Sequence, residues 1–529
     1  MQNQPKLPSQ KTWFVCTSQT ARDLEQKTMK ETGTSERELM NRAAFGCAQA
    51  ILEEYPHVRN ILFVLGKGNN ANDGILIAEL LQRSNPDLNI QAASPWPDSR
   101  RVDFFFPLSH FDEMGLPEAE LWMENHKESS DSLIVDALFG SGLSRDLQSP
   151  VTEWIEAINS SSLPVVSIDL PSGLNGNTGK IMNTAVQADL TLALDCMKTG
   201  FFIQDGPKLI SKVRLLSVGI PEAFHLQENP LVFCMNEQTA ASFLRKRNTY
   251  ENKGRFGKVL LAGGSMRMQG ALAMAADSCF HAGCGTLTLF TPEEAGKAIA
   301  SKTDLAMIIP AAQDENGFFD PSAAELLKEQ KGRFTMIGCG NGMGTGDGAL
   351  AVLQELLSWE IPMVVDADGI NLLARNPDLL KERQTPLVLT PHLMEFSRLS
   401  GIPIADLEQD PFTYAQRFCE LYPQVILVLK SDVTLIVQGQ RIGLVSRPDS
   451  RLSKGGSGDV LCGLCTGLCA WNPENLFETC CAAVWIHNQA ADQPDIAPAF
   501  FTPMNLIEGF NTVFLKLGAL RQEADRTPE

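Results

Sequence analysis

Residues 61–84 read ILFVLGKGNNANDGILIAELLQRS, and this stretch decides the fold. Its first six residues are a short apolar run closed by glycine. A polar, glycine-containing loop follows, and then ILIAELLQRS with apolar residues at helical spacing, so the segment reads as strand, turn and helix. Working outward, SLIVDALFG (132–140), PVVSIDLPSG (164–173) and DLTLALD (189–195) repeat the theme, and VRLLSVGIP closes this half near Pro221. Upstream, residues 20–53 have helical periodicity with Leu39, Met40, Ala43 and Ala44 on one side. Apolar strands separated by helix-length segments argue for a parallel α/β sheet covered on both faces.

After a less regular stretch around 222–250 the pattern restarts. VLLA (259–262) leads into GGS, and GTLTLFTP, FTMIGCG, IPMVVDADG and TPLVLTPH are further strand-then-loop units. VILVLK and SDVTLIV follow each other too closely for a crossover and predict antiparallel pairing. KGGSGDVLCGLCTGL passes from a glycine loop into a helix. The boundary between the halves is expected near 225–245, giving domains 1–230 and 231–529.

Composition agrees with two or three domains in a chain of 529 residues. With 44% hydrophobic and 20% charged residues it excludes wholesale disorder, fibrous repeats and an integral membrane protein. A net charge of −19 argues against a partner gripped by its nucleic-acid backbone, which needs clustered Lys and Arg. The start MQNQPKLPSQK lacks the apolar core of a secretory signal, and no apolar run is long enough for a membrane span. Thirteen cysteines without a framework of spacings read as reduced thiols in a cytoplasm. Cys462, Cys465 and Cys469 share one helical face, and with no second CxxC or paired His they read as buried thiols instead of a zinc site. The tail 521–529 is expected to fray.

In open α/β sheets ligands bind beyond the carboxyl ends of the strands. The polar residues of the first half collect there: the loop 66–74, then Asp136 followed by Phe139, Gly140, Ser141, Gly142 and Arg145, then Asp169 followed by Pro171, Ser172 and Gly173. Two carboxylates, an Asn amide and a Ser hydroxyl at one sheet edge suit a hard monovalent cation or acid–base work. Taken singly, the same residues are also ordinary turns and helix caps.

In this order, GNNANDG, DALFGSGLSR, DLPSGLNGNTG and Lys198-Thr199-Gly200 resemble the NAD(P)H-hydrate epimerase (YjeF N-terminal) family over about residues 20–225. The resemblance implies a Rossmann-like αβα sandwich that interconverts the C6 epimers of hydrated nicotinamide cofactors with bound potassium. By motif, Asn70, Asp136 and Ser172 would hold the ion. Asn69, Asn70, Ala71, Asn72 and Asp73, together with Gly140, Ser141, Gly142, Leu143, Ser144, Arg145 and Asp146, would line the hydrate, and Asp169 would contact it as the candidate acid/base. Two departures stand out. Ala71 and Asn72 replace two glycines, and an alanine in left-handed backbone would be costly and hinder approach of the pyrophosphate. Asn41 replaces a Glu.

In the second half, Ser453-Lys454-Gly455-Gly456-Ser457-Gly458-Asp459 opens a helix, so main-chain amides at its positive end form an anion hole with a carboxylate directly behind. The GK[ST] ending of a Walker loop is missing. Asp366-Ala367-Asp368, Thr390-Pro391-His392 with Glu395, Lys430 with Thr434, and a loop containing Gly338, Gly340, Gly342 and Gly344 all sit at strand ends. His392 also fits as a helix cap or core histidine.

Together with NKGRFGKVLLAGGS, LTPHLMEFSRL, VLKSDVT, KGGSGDVLCG and WIHNQAAD, these resemble the ADP-dependent NAD(P)H-hydrate dehydratase (carbohydrate kinase-related YjeF C-terminal) family over about residues 235–520. That implies a ribokinase-like αβα domain restoring NAD(P)H from its S-hydrate at the expense of ADP, giving AMP and phosphate, with Mg2+ as charge neutraliser. By motif, Lys430, Ser431, Asp432, Val433, Thr434 and Gly458 would bind nucleotide. Ala271, Gly342, His392 and Asp459 would contact the hydrate, with Asp459 activating the hydroxyl. Ser431, Cys339, Leu305-Ala306 and Asp449-Ser450-Arg451 depart from the family pattern. The expected partners are thus NAD(P)H hydrates and ADP, with no nucleic acid or membrane and a homo-oligomeric assembly. The alternative is a ribokinase-like small-molecule kinase with a catalytically silent N-terminal binding module.

Overall fold

The computed structural model describes residues 12–96, 113–209, 211–248 and 250–524. They form two compact units that divide between Glu228 and Asn229. Residues 1–11, the polar start, and 525–529 of the expected tail lie outside the described residues. The helix Pro503–Ala524 runs through the tail's first four positions.

The strands of the first unit are β1 (Trp13–Cys16), β2 (Asn60–Leu65), β3 (Asn89–Ala93), β4 (Glu113–Met114), β5 (Ser132–Ala137), β6 (Val165–Ile168), β7 (Leu190–Leu194), β8 (Met197–Lys198) and β9 (Val213–Leu216). Seven of them make a sheet in the order β4-β3-β2-β5-β6-β7-β9, parallel throughout. β5 and β6 are buried at every position, as expected of β-branched and leucine runs covered on both faces. From β2 the chain winds outward to β3 and β4, then returns to the other side of β2 at β5. The loops after β2 and β5 therefore diverge at a topological switch point, where such sheets open a crevice. They touch at its floor: a Cβ on Gly66 would lie 1.8 Å from the Leu138 carbonyl oxygen, so only glycine fits. The helical stretch expected over 20–53 is two helices, Ser18–Thr32 and Glu36–Glu54. Gly33 (φ 74°) ends the first, and a reciprocal Ser35–Glu38 capping box starts the second.

The second unit contains β10 (Leu231–Cys234), β11 (Lys258–Ala262), β12 (Thr286–Pro292), β13 (Met307–Ala311), β14 (Met336–Cys339), β15 (Met363–Val365), β16 (Leu387–Leu389), β17 (Val425–Leu429), β18 (Val433–Gln438) and β19 (Arg441–Ser446). They run in the order β13-β12-β11-β14-β15-β16-β17-β18-β19-β10. β11 to β17 are parallel, and β17–β18 is the antiparallel pair expected from the short connection. The stretch 222–250 is more regular than its sequence suggests: β10 pairs parallel with β19, and the helix Glu237–Phe243 follows. The switch point here lies between β11 and β14. Its loops meet where the Gly264 amide donates to the Asn341 carbonyl (2.8 Å).

The helix Ser457–Trp471 lies against Gln269–His281 with almost no side chain between them. Cβ atoms on Gly463 and Gly467 would fall 2.1 and 2.4 Å from carbonyl oxygens of that neighbour. Cys462, Cys465 and Cys469 lie on this helix, fully buried. Among the described residues no group of His, Cys, Asp and Glu is arranged to hold a metal ion, and no helix is long and apolar enough to cross a membrane.

Candidate active sites

In the first unit the residues expected in the loop after β2 are already helical. The helix is Asn69–Ser84, capped only by the Gly68 backbone, so Asn69 to Asp73 form its first turns. This corrects the expectation for Ala71. It is not left-handed, its side chain is fully buried in the core with Phe63 and Leu65, and it offers a ligand only main chain. Asn72 is likewise helical and buried. Gly74 allows the helix close to the sheet, since a Cβ there would sit 2.7 Å from the Ala137 Cβ.

Asn70, Gly140 and Asp169 converge: a Cβ on Gly140 would be 3.4 Å from both the Asn70 side-chain oxygen and Asp169 Oδ2. The Asn70 Nδ2 is buried without a partner. Asp136 is fully buried and accepts from Ser172 Oγ (2.6 Å), Ser167 Oγ (2.8 Å), Ser172 N (2.9 Å) and Leu138 N (3.2 Å). Burial still raises its pKa over the lowering effect of these bonds. Asp169 takes φ 64°, a conformation costing about 1–2 kcal/mol outside glycine. Its Oδ1 accepts from Lys198 Nζ at 2.6 Å and its Oδ2 from Ser141 N at 3.3 Å. Lys198 is 3% exposed. Burial pulls its pKa down, but the Asp169 carboxylate more than restores it. Burial, then the Asp169 and Glu25 charges, push the Asp73 carboxyl well above the usual range. Gly142, Ser144, Arg145 and Asp146 are exposed along the rim.

In the second unit Asp366 is the hub. This carboxylate, 2% exposed, accepts from Thr390 Oγ1 (2.8 Å), Lys430 Nζ (2.9 Å) and Asn341 Nδ2 (3.2 Å). The Asn341 Nδ2 also donates to Asp459 Oδ1 at 2.7 Å. The sequence places Asp366 at a strand end beside the anion hole without a stated role, and it does not point to Asn341, whose part rests on contacts between distant loops; the signal available for Asn341 is likewise its strand-end position. Ala367, at φ 46°, and Gly340, whose Cβ would lie 1.9 Å from the Asp366 carbonyl oxygen, hold the hub in place.

Asp459 begins the helix Ser457–Trp471, whose cap residue Gly456 (φ 100°) supplies no side-chain hydrogen bond. Burial raises the Asp459 pKa to about 6, Asn341 opposing and the Asp366 charge assisting. A Cβ on Gly458 would lie 3.4 Å from Lys430 Nζ, so the helix start and the lysine face each other. They share the wall of a cavity of about 590 Å3 with Ser431, Asp432, Thr434, His392 and His487. Val433 points away into the core. His392 caps the helix Leu393–Ser400, with Nδ1 accepting from Met394 N and Glu395 N. Burial and Lys430 lower its pKa. His392 lies on the cavity wall, and a Cβ on Gly342, next in sequence to Asn341, would lie 3.2 Å from the Ala271 Cβ. His487, which sequence also missed, bonds Ser457 O through Nε2 (2.9 Å), and burial lowers its pKa to about 4.

Two α/β units, each with its polar residues at a switch point, define a bifunctional enzyme of small-molecule chemistry. Residues 259–508 match the family described as NAD(P)H-hydrate dehydratase, and residues 36–200 the YjeF-related protein N-terminus. The chain is 31% identical over 477 residues to the bifunctional NAD(P)H-hydrate repair enzyme Nnr of Coxiella burnetii, covering 89% of this chain and 93% of that one. It is 29% identical to the Nnr of Vibrio cholerae, over 90% and 92% of the two chains. Among solved structures it is similar to an ADP/ATP-dependent NAD(P)H-hydrate dehydratase from Bacillus subtilis crystallised with ATP and magnesium (25% identity, TM-score 0.47, 53% of this chain and 97% of that one). The chain belongs to the bifunctional NAD(P)H-hydrate repair enzyme family. Its first half is the epimerase domain and its second the dehydratase domain.

Proposed function

We propose that the first half interconverts the R and S hydrates of NADH and NADPH at C6, and that the second dehydrates the S form with ADP, releasing AMP and phosphate. The observation that carries this reading is Asp459, poised near pH 6 behind an uncapped helix start that faces Lys430. In the second site Lys430, Ser431, Asp432, Thr434 and Gly458 hold the nucleotide, while Ala271, Gly342 and Asp459 face the hydrate. Asp459 takes the C6 hydroxyl proton as that oxygen attacks the terminal phosphoryl group and AMP leaves. Loss of phosphate and the C5 proton then regenerates the dihydronicotinamide ring. Helix-start amides and Lys430 offset the charge that develops. The carboxylate of Asp366 is already taken by three protein donors. Magnesium is therefore expected to ride chiefly on the nucleotide phosphates, where it supplies positive charge.

In the first site Asp169, with Lys198 beside it, takes the C6 hydroxyl proton. The carbinolamine then opens to an aldehyde and recloses on the other face. Asp73, its carboxyl pushed up by burial and by the Asp169 charge, supplies the proton to the ring nitrogen. Asn70, Asp136 and Ser172 are oxygen donors suited to potassium, and the Phe139 carbonyl stands 3.2 Å from Ser172 Oγ. The partnerless Asn70 Nδ2 is a donor, so it suits an acceptor atom of the hydrate and not the ion itself. Bound there, the ion supplies fixed positive charge at the sheet edge. Buried thiols throughout the chain suit a reducing cytoplasm.

The test is recovery of NADH absorbance from pure R- or S-hydrate, with ADP or ATP. The full chain should repair both hydrates, Asp459→Asn neither, and Asp169→Ala only the S form beyond spontaneous epimerisation. Failure of the full chain with either nucleotide refutes the reading.

A further inference from the structure

Two residues past the end of β14, the chain sets the Asn341 side chain between carboxylates carried by two other loops. Its main chain is held in place. The Asn341 carbonyl accepts from Gly264 N at 2.8 Å, and the flanking Gly340 and Gly342 take φ 115° and 64°, which a side chain at either position would strain. The side chain is 1% exposed. Its Nδ2 donates to Asp459 Oδ1 at 2.7 Å and to Asp366 Oδ2 at 3.2 Å. The partners decide which end of the amide faces them. An ionised carboxylate only accepts, so the NH2, with two hydrogens, serves both, whereas the flipped amide would set an oxygen against two anions.

The two bonds differ in consequence. Asp366 has shorter bonds from Thr390 Oγ1 (2.8 Å) and Lys430 Nζ (2.9 Å), so it stays satisfied without the amide. Asp459 has no such reserve. Among the described residues Asn341 is the one group that hydrogen-bonds its side chain, and it holds Oδ1 alone. Oδ2 of this half-buried carboxylate is left without a protein partner.

We propose that Asn341 is a positioning residue for dehydration: by tying down Oδ1 it fixes the plane of the Asp459 carboxylate and leaves Oδ2 as the atom that takes the C6 hydroxyl proton. This rests on the role of base proposed above for Asp459. The proton passes from the hydroxyl to Oδ2, and the electron pair it leaves goes to the phosphoryl group. The same bond keeps the carboxylate ready. Burial pushes Asp459 up, and the Asp366 and Asp368 charges push the same way. Asn341 is the largest influence holding it down, with Lys430 behind it. Asp368 stands nearby with its Oδ2 accepting from Gly344 N at 2.9 Å. Without the amide, two carboxylates face each other unscreened and Asp459 keeps its proton to higher pH, where a neutral carboxyl is no base.

The experiment follows S-hydrate dehydration by the full chain at saturating ADP from about pH 5 to about pH 9. Asn341→Leu keeps the branched shape and removes the donor; Asn341→Ser has a shorter arm that cannot serve both carboxylates. In the parent the rate should fall as pH drops through about 6. One hydrogen bond to a charged group corresponds to about one pH unit or more, so both variants should move this acid limb up by that much. Turnover near pH 6 should then be down about fivefold or more, with KM for ADP within about threefold of the parent's. Near pH 9 the loss should shrink to the part that comes from misaimed Oδ2, about tenfold at most. On the Asp459→Asn background, Asn341→Leu should cost no further turnover. An acid limb that stays at the parent's pH overturns the proposal even if the rate falls, because a merely structural asparagine gives that result. A further loss in the double variant overturns it too. Thermal unfolding identifies a variant that fails to fold, and the other then decides. An Asp459→Asn chain that dehydrates like the parent refutes the base itself, a failure distinct from an unmoved limb in Asn341→Leu.

Discussion

Replacing Asp459 by Asn should stabilise the dehydratase half while removing its activity. In the folded protein the Asp459 pKa stands at about 6 against an ordinary 3.8. At about 1.4 kcal/mol per pH unit, holding that group ionised at neutral pH costs at most about 3 kcal/mol. The side chain is partly exposed, so solvent screening reduces this to about 1–2 kcal/mol. The amide keeps an oxygen for the Asn341 bond (2.7 Å) and carries no charge beside Asp366. The sign follows from linkage. A folded pKa raised above the unfolded one favours the native state at low pH. That advantage is fully present below about 3.8 and is lost as pH rises through 6. The gain in Asp459→Asn should therefore be full above about pH 7 and vanish as pH falls toward 4. The assay is urea unfolding of the dehydratase transition for both proteins at several pH values, with S-hydrate turnover measured in parallel. Turnover should fall by about 10²–10⁴-fold, the usual worth of a positioned base. A variant less stable than the parent at neutral pH, or a gain independent of pH, would refute the reasoning.

Gly340→Ala should destabilise the second unit and abolish dehydration, since its Cβ would meet the Asp366 carbonyl at 1.9 Å at φ 115°; Gly346→Ala, with open space around it, should be nearly neutral by thermal unfolding. Ala71→Gly should cost about 1 kcal/mol or more in chemical unfolding and leave R-hydrate turnover no higher, because the residue is helical and in the core. Lys198→Met leaves Asp169 without its buried cation, so the first unit should lose about 3–5 kcal/mol, with S-hydrate dehydration retained.

Strands with uniform apolar burial were legible because their pattern needs no partner to be recognised: β2, β5, β7, β12 and β17 lie where the runs put them. The antiparallel β17–β18 pair followed from chain length alone. The helix start at Asn69 was not, because a glycine- and asparagine-rich stretch serves equally as a loop or as an uncapped helix start, and only its packing under β2 and β5 decides. For the same reason Ala71 looked like an obstacle and is a core residue. Asp366, Asp459, Lys430 and Asp169 stood out at strand and helix ends. Asn341 and His487 make their contacts through bonds spanning 118 and 30 residues respectively. No local spacing encodes such distances. Ser35 and Glu38 were a readable capping box, masked by the continuous helical periodicity around them.

The carboxylate of Asp366 works as an interlock. It grips Lys430 on the cavity wall and, through Asn341, is joined to Asp459. On the mechanism proposed above, a phosphate that drew Lys430 away would leave Asp366 with surplus negative charge, which would strengthen its hold on Asn341 and weaken the Asn341 bond to Asp459. Nucleotide binding and the readiness of Asp459 would then be coupled through a single carboxylate.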